Sequence, residues 1–286
     1  MDCGFQTFQI KINGERREIT RPWIMGILNV TPDSFYSGSR MDTDEKNIEK
    51  RVEQILQEDG DVIDIGAYST RSNADEISVE EECARLKVGL DVIKRISKDV
   101  VVSVDTFRAD VARRCVEEYG VDIINDVSGG TLDEGMFDAV AQLKVPYILM
   151  HMRGTPATMQ SLTDYNDVTS DVIDYLRGKM AMLREKGVED IVIDPGFGFS
   201  KTVSQNFEMM TRLREFTALD APLLVGISRK SMIFRTLGCT PVESLNGTTA
   251  LNVISLMNGA QILRTHDVKE AVEATKLVCA TNNWSY

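Results

Sequence analysis

The chain has 286 residues, 43% of them hydrophobic and 27% charged, enough apolar material for a sizeable core and ordinary for a globular protein in water. Its net charge of −12, with no basic tail or basic helix, argues against nucleic-acid binding. Any anionic ligand must therefore meet cations gathered inside a pocket, because exposed charges are screened beyond about 8 Å.

No apolar run is long enough to cross a bilayer, and the N-terminal MDCGFQTFQIKINGERREI lacks the apolar region of a signal peptide, so a cytoplasmic protein is expected. The five cysteines, Cys3, Cys83, Cys115, Cys239 and Cys279, are scattered and never form a C-x-x-C pair. That spacing argues against a disulfide framework or a structural zinc site.

Residues 5–19 contain two alternating runs around Asn13-Gly14, which predicts a β-hairpin. One pattern then recurs eight times: a short apolar run, polar residues at its end, and an amphipathic stretch. The runs are WIMGILN, DVIDIGA, VVSVDT, DIINDVS, YILMHM, DIVIDPG, LLVGIS and QILRTHD. They are rich in Val and Ile on both faces, as parallel strands buried on both sides are. Between them, DEKNIEKRVEQILQED places Ile48, Val52 and Ile55 on one helical face, and Ser78 with Glu81 reads as a capping box. PVESLNGTTALNVISLMNGA reads as a helix despite Gly247.

Eight such units without a linker predict a single domain over residues 1–286, an α/β fold of the (β/α)8 barrel type with the hairpin closing the barrel bottom. An open doubly wound sheet fits less well, because the first strand ends in LNVTPDS rather than a Gly-rich phosphate loop.

Barrel active sites lie at the carboxyl ends of the strands. Those ends carry Asn29, Asp64, Asp105, Asn125, Met150 with His151, Asp194, Ser228 with Arg229 and Lys230, and Arg264 with His266. Each has an ordinary alternative. Asp64 and Asp105 suit helix caps, Asn29 suits an Asx turn before Pro32, and His151 suits a structural role. Their joint occurrence at successive strand ends favours a site.

Carboxylates pair with the N–H groups of an amidine-like ring edge. Lys230 offers a point donor, and the flat guanidinium of Arg264 suits an aromatic face. The guest these groups describe is a flat, nitrogen-rich ring. The SRKS and RTH segments occupy the strand ends where barrels hold phosphate, and barrel closure brings Asn29 alongside them. An amide oxygen there is a suitable ligand for Mg2+ shared with substrate phosphates.

The segments MGILNVTPDSF, DIGAYSTR, SVDTFRADVA, DIINDVSGG, MHMRGTPATMQ, IDPGFGFSKT, GISRKS and RTHDV, in this order, resemble those of the dihydropteroate synthases of folate biosynthesis over nearly the whole chain after the hairpin. The resemblance implies displacement of diphosphate from a (7,8-dihydropterin-6-yl)methyl diphosphate by the amine of 4-aminobenzoate. It implies that Asp105, Asn125, Asp194 and Lys230 hold the pterin, that Arg264 stacks on it and that Met150 walls the pocket.

Asn29, Arg264 and His266 would form the diphosphate site with Mg2+, Asn29 as its protein ligand, joined by Thr70 and Arg71. Thr70, Ser72, Phe199, Ser228 and Ser231 would meet the 4-aminobenzoate. Asn29, Asp33, Arg71, Lys230, Arg264 and His266 are the residues assigned to the chemistry, with Asp33 facing the cation left by C–O cleavage. Loops 31–43 and 68–77 would close over the site to exclude water. A homodimer through the later helices is a further implication.

The chain departs from the family where STRSNADEIS replaces the usual STRPG, with Ser72 and Asn73 at the Pro-Gly positions, and where Ala67 and Tyr68 replace Gly and Glu. Without proline, φ at residue 72 is no longer locked, so an altered 4-aminobenzoate pocket and sulfonamide response are expected. Two other readings share the carboxylate strand ends: a methyltetrahydrofolate-dependent methyltransferase and a catalytically silent pterin-binding paralogue. The combined SRKS and RTHD segments favour the synthase over the first, and the presence of Asn29, Arg71, Lys230, Arg264 and His266 favours it over the second.

Overall fold

The computed structural model describes residues 5–31, 42–68 and 77–286. The hairpin consists of β1 (Phe8–Ile12) and β2 (Glu15–Ile19), paired antiparallel with Ile12 opposite Glu15. Asn13 and Gly14 have φ of 53° and 80°, the left-handed pair that a two-residue hairpin turn requires.

The eight predicted runs form parallel strands: β3 (Trp23–Asn29), β4 (Val62–Gly66), β5 (Val101–Asp105), β6 (Ile123–Asp126), β7 (Tyr147–Met150), β8 (Ile191–Asp194), β9 (Leu224–Val225) and β10 (Ile262–Thr265). Their order in space is β8-β7-β6-β5-β4-β3-β10-β9. A parallel bridge between Ile193 and Leu223, with the Ile193 N–H donating to Pro222 O at 2.9 Å, joins the ends of the sheet into a barrel.

Helices α1 (Asp42–Gln57), α2 (Val79–Ile96), α3 (Ala109–Tyr119), α4 (Met136–Leu143), α5 (Val168–Glu185) and α6 (Val203–Thr211) each follow one of strands β3 to β8. Both α7 (Ser231–Leu237) and α8 (Leu245–Met257) follow β9, and α9 (Val268–Asn282) follows β10. The expected helix over 242–258 is thus a short 3-10 turn, Val242–Ser244, leading into α8. At the start of α2 only half of the expected capping box forms. Ser78 Oγ accepts from the Glu81 N–H at 3.2 Å, while the Glu81 carboxylate turns to Arg85 at 2.8 Å.

Side chains alternate between the two sides of a strand, and this alternation builds the site. Trp23, Met25, Val62, Val101, Ile123, Ile148, Val192, Leu224 and Ile262 form one buried cluster with Phe8, Ile10, Ile12 and Ile19 of the hairpin, which therefore plugs the barrel at its amino-terminal end. The residues between them, such as Ile24, Ile63, Val104, Ile124, Ile193 and Leu263, lie in the larger core under the helices. Counting in steps of two from the plug toward the mouth leads from Val62 to Asp64, Val101 to Asp105, Ile123 to Asn125, Ile148 to Met150, Val192 to Asp194 and Ile262 to Arg264. The polar strand ends share the parity that packs on the hairpin, and so point inward.

Candidate active site

Arg264 sits at the centre of the mouth. Its Nε donates to Asp64 Oδ2 at 2.6 Å and its Nη2 to Asp105 Oδ2 at 2.7 Å, while Asn125 Nδ2 donates to Asp64 Oδ2 at 3.1 Å. Asp64 is fully buried, and only this pairing makes a carboxylate tolerable there. Burial pushes the Asp105 carboxyl up to about 7, against the opposing pull of the Arg264 guanidinium and with the charge of Asp64 adding to the rise.

Across the mouth, Asp194 Oδ1 accepts from the Gly196 N–H at 2.7 Å. The turn depends on glycine at 196: φ is +70°, and a Cβ would meet the His151 carbonyl oxygen at 2.0 Å. Burial raises the Asp194 pKa above the usual carboxylate range, opposed by the Lys230 ammonium. Burial lowers Lys230 to about 8, opposed by Asp194 and, more weakly, Asp105. The Lys230 Nζ donates to Phe197 O and stands 4.7 Å from the centroid of the Phe199 ring. One wall is apolar, made of Val127, Met150, Met152 and Met159 with Phe107, Leu132 and Phe199 packed against them. Carboxylates, an amide, a lysine and a guanidinium beside an apolar wall form a slot for a planar heterocycle with adjacent N–H donors.

The two rim residues assigned to the anion lie on adjoining strands. Asn29 ends β3, His266 follows β10, and both are exposed. The His266 N–H donates to Ser228 Oγ at 3.1 Å, and its carbonyl accepts from Arg51 Nη2 at 2.6 Å. Partial desolvation at the mouth, then the positive charges of Arg264 and Arg51, lower the His266 imidazole below the ordinary histidine value.

The structure thus brings Asp105, Asn125, Met150, Asp194, Lys230 and Arg264 together at the mouth, with Asn29 and His266 at its rim. Phe199 stands beside Lys230, and Ser231 opens α7 directly after it. Ser228 is buried, its hydroxyl engaged by the His266 N–H and Thr265 Oγ1. Asp33, Thr70, Arg71 and Ser72 lie outside the described residues, as does most of both loops assigned to closure.

Within SRKS, the Arg229 guanidinium is engaged by the chain itself. It pairs with Asp267 at 2.8 Å and donates to Pro241 O at 3.0 Å. His151, of the opposite parity to Met150, faces away from the mouth and stacks edge-on against Tyr175, with ring centroids 4.8 Å apart.

Asp64, named among the polar strand ends with a helix cap as its alternative, is not a cap but the hub of the mouth network. Other groups escaped the sequence reading. Lys201, buried, donates to Gly196 O and Phe199 O, each at 3.0 Å, and stands 3.0 Å from His151 Nδ1, and so organises the loop that carries Phe197 and Phe199. Phe107 enters the wall from the β5–α3 turn, edge-on to Tyr68 with ring centroids 5.0 Å apart.

Residues 25–266 match the model of the pterin binding enzyme family. The dihydropteroate synthase of Escherichia coli strain K12 is 41% identical over 272 residues, 94% of either chain. Among solved structures, the Yersinia pestis dihydropteroate synthase in a sulfonamide drug complex superposes with a TM-score of 0.87 at 36% identity, covering 96% of this chain and 100% of that one. The Xanthomonas albilineans dihydropteroate synthase with 4-aminobenzoic acid gives 0.87 at 33% identity, over 98% and 100%. Similarity of this extent, on a barrel whose mouth presents the polar groups just described, shows that the chain belongs to the pterin-binding enzymes and, among them, to the dihydropteroate synthases.

Proposed function

We propose that the described mouth divides the dihydropteroate synthase reaction of folate biosynthesis between a pterin floor and an anion rim. The observation that carries this reading is the Arg264 guanidinium held between Asp64 and Asp105, opposite Asp194 and Lys230. Asp105, Asn125 and Asp194 take the N–H edge of the dihydropterin, Lys230 donates to its carbonyl or ring nitrogen, and Arg264 lies on its face. Met150 and the neighbouring methionines exclude water on the other side.

The CH2–O bond breaks with its electron pair leaving on the diphosphate, and the electron-rich pterin carries the positive charge on the CH2. The amine nitrogen of 4-aminobenzoate then bonds to that carbon and loses a proton, giving 7,8-dihydropteroate. No protein nucleophile takes part. Phe199, Ser228 and Ser231, with Thr70 and Ser72, are proposed to line the 4-aminobenzoate side.

The donor set fits Mg2+ only in company with substrate. Among the described residues no cluster of three His, Cys, Asp or Glu side chains is placed to hold a metal ion. Asn29 offers one exposed amide oxygen at the rim. Asn29 would hold the ion jointly with the substrate diphosphate and water, an arrangement Mg2+ commonly adopts, and the bound ion would neutralise charge on the leaving group. His266 and Arg264, with Thr70 and Arg71, complete the proposed diphosphate site, and Asp33 is proposed to face the cation left by C–O cleavage.

The later helices leave apolar side chains in water: Leu237, Val242, Ile254, Met257 and Leu277 are exposed, Val242 at 79% and Leu277 at 70%. An apolar surface of this kind supports the proposed homodimer. Among the described residues no helix is long and apolar enough to cross a membrane.

The direct test is diphosphate release from the pterin diphosphate with Mg2+, with and without 4-aminobenzoate, with the pterin product identified. Release dependent on 4-aminobenzoate and yielding dihydropteroate is expected. Pterin binding without release, or methyl transfer from methyltetrahydrofolate to a corrinoid protein, would overturn the reading.

A further inference from the structure

Arg51 lies on α1, on the helical side of the barrel wall, in the charged stretch EKRVEQ. Its guanidinium crosses two staves. The Nε donates to Ile27 O of β3 at 3.2 Å, and Nη2 donates to the His266 carbonyl just beyond β10 at 2.6 Å. Its third arm, Nη1, reaches Gln54 Oε1 at 3.0 Å. Gln54 donates to Glu58 Oε1 at 2.8 Å, and Glu58 Oε2 accepts the Lys269 N–H of α9 at 3.2 Å.

The two carbonyls that Arg51 joins belong to the strand ends bearing the rim residues. Ile27 is two residues before Asn29, with the same inward parity, and His266 is itself a rim residue. β3 and β10 are adjoining strands, but their paired register ends at Thr265 opposite Gly26. Among the described residues no ladder pair joins the two strands beyond that point, and the Arg51 fork bridges them there. The peptide groups flanking His266 are fixed from both sides, its N–H by Ser228 Oγ and its C=O by Arg51. That leaves an exposed imidazole on an immobilised backbone, a form suited to meeting a charged ligand without an ordering cost.

We propose that Arg51 is a positioning residue for the diphosphate end of the substrate: by tying the β3 and β10 ends together it sets the spacing of Asn29 and His266. It acts from behind the barrel wall and touches neither the pterin nor the 4-aminobenzoate. A planar fork is needed, since a lysine ammonium offers a point donor rather than two fixed N–H directions. The inference rests on the reading of the rim as the diphosphate site.

The test uses the full chain and two ligands in calorimetry, inorganic diphosphate with Mg2+ and a dihydropterin lacking the diphosphate, together with KM for each substrate. Arg51→Gln is expected to weaken inorganic diphosphate and raise the KM of the pterin diphosphate by roughly tenfold, the scale of one charge-assisted hydrogen bond. Affinity for the plain dihydropterin and KM for 4-aminobenzoate should hold within about twofold, which separates lost anion binding from general damage. Gln54→Ala, which drops the α1 link but leaves both strand contacts, should behave as wild type.

Equal weakening of the plain dihydropterin and the diphosphate, or no change in either, would overturn the proposal. Should Arg51→Gln fail to fold, Arg51→Lys carries the same comparison. Asn29→Ala and His266→Ala separate the two failures: if they too leave diphosphate binding unchanged, the reading of the rim is at fault, and if they weaken it while Arg51→Gln does not, only the role of Arg51 falls.

Discussion

The Arg264 Nε stands 2.6 Å from Asp64 Oδ2 inside a barrel where Asp64 has no exposure to water at all. Each group makes the other's burial possible, so the pair sets the orientation of the guanidinium on which the pterin face is proposed to lie. Asp64→Leu leaves that guanidinium with Asp105 as its only carboxylate partner among the described residues. The expected loss is about 3–5 kcal/mol of folding stability, read from urea denaturation, as for other buried pairs stripped of one partner. Asp64→Asn keeps the shape and an acceptor, so it should cost less stability while lowering kcat/KM for the pterin diphosphate. Equal stability losses for the two variants would refute the assignment of the pair as an electrostatic hub.

Asp105 and Lys230 give the free enzyme a pH profile. The Asp105 carboxyl is raised to about 7 by burial, and Lys230 is lowered to about 8 by burial. Binding of a ring through N–H donors needs Asp105 ionised, and donation to the ring carbonyl is strongest from charged Lys230. The predicted kcat/KM for the pterin diphosphate therefore rises through pH 7 and falls above pH 8, the two limbs belonging to the coupled set of groups.

Stability follows the opposite sense for Asp105. With a folded value above its unfolded one, the native state holds the extra proton between pH 4 and 7, so stability falls as pH rises through that window. Asp105→Asn should remove the acid limb of kcat/KM and flatten that stability slope. An acid limb that survives the substitution assigns it to another group.

Much of this site was legible before any coordinates, for a physical reason. A strand buried on both faces hides its inward parity, but the Asn13-Gly14 hairpin and its apolar β1 point to a plug. Counted from that plug, the parity puts Asp64 inside with Asp105 and Asn125, and Asp126 outside, where it accepts from the Tyr147 hydroxyl at 2.6 Å. Lys201 was not legible, because its partners include carbonyls of a loop folded by positive φ at Gly196, Gly198 and Ser200. Arg51 was hidden differently: within DEKNIEKRVEQ it looks like one more solvated helix charge, and only the stave ends of β3 and β10 reveal its use.

Asp194 makes the simplest binding prediction. Its Oδ1 is engaged by the Gly196 N–H, and its position opposite Arg264 leaves Oδ2 for a ring N–H. Asp194→Ala is expected to abolish measurable pterin binding, since an unpaired buried donor on the ligand costs about 1–3 kcal/mol and a charged partner more. Calorimetry with a dihydropterin decides it, and wild-type affinity in the variant would contradict the placement.

The exposed apolar side chains of α8 and α9 predict the oligomeric state. Ile254→Glu with Leu277→Glu places charges on the surface proposed for self-association, and a charged residue buried in such an interface without a partner is strongly unfavourable. Light scattering behind size exclusion is expected to show a dimer for the wild-type chain and a monomer for the double variant, with pterin affinity retained. A wild-type chain that runs as a monomer would remove the dimer from the account.

Lys201 supplies the last prediction, because it organises the loop that carries Phe199. The ammonium is withdrawn from water, which lowers its pKa well below the ordinary lysine value, and it is accommodated by Gly196 O, Phe199 O and His151 Nδ1. Those contacts fix residues 196–199, which present Phe199 to the proposed 4-aminobenzoate side and the Phe197 carbonyl to Lys230. Lys201→Met preserves length and apolar volume but leaves the acceptors unpaired, at about 1–3 kcal/mol for each buried group. The variant should melt several degrees lower, on the order of 2–4 °C per kcal/mol for a chain of this size. Its KM for 4-aminobenzoate should rise more than its KM for the pterin diphosphate, because the Asp64–Arg264–Asp105 floor lies on other strands and keeps its own bonds. An equal rise in both KM values would mean that Lys201 supports the barrel as a whole rather than the loop that carries Phe199.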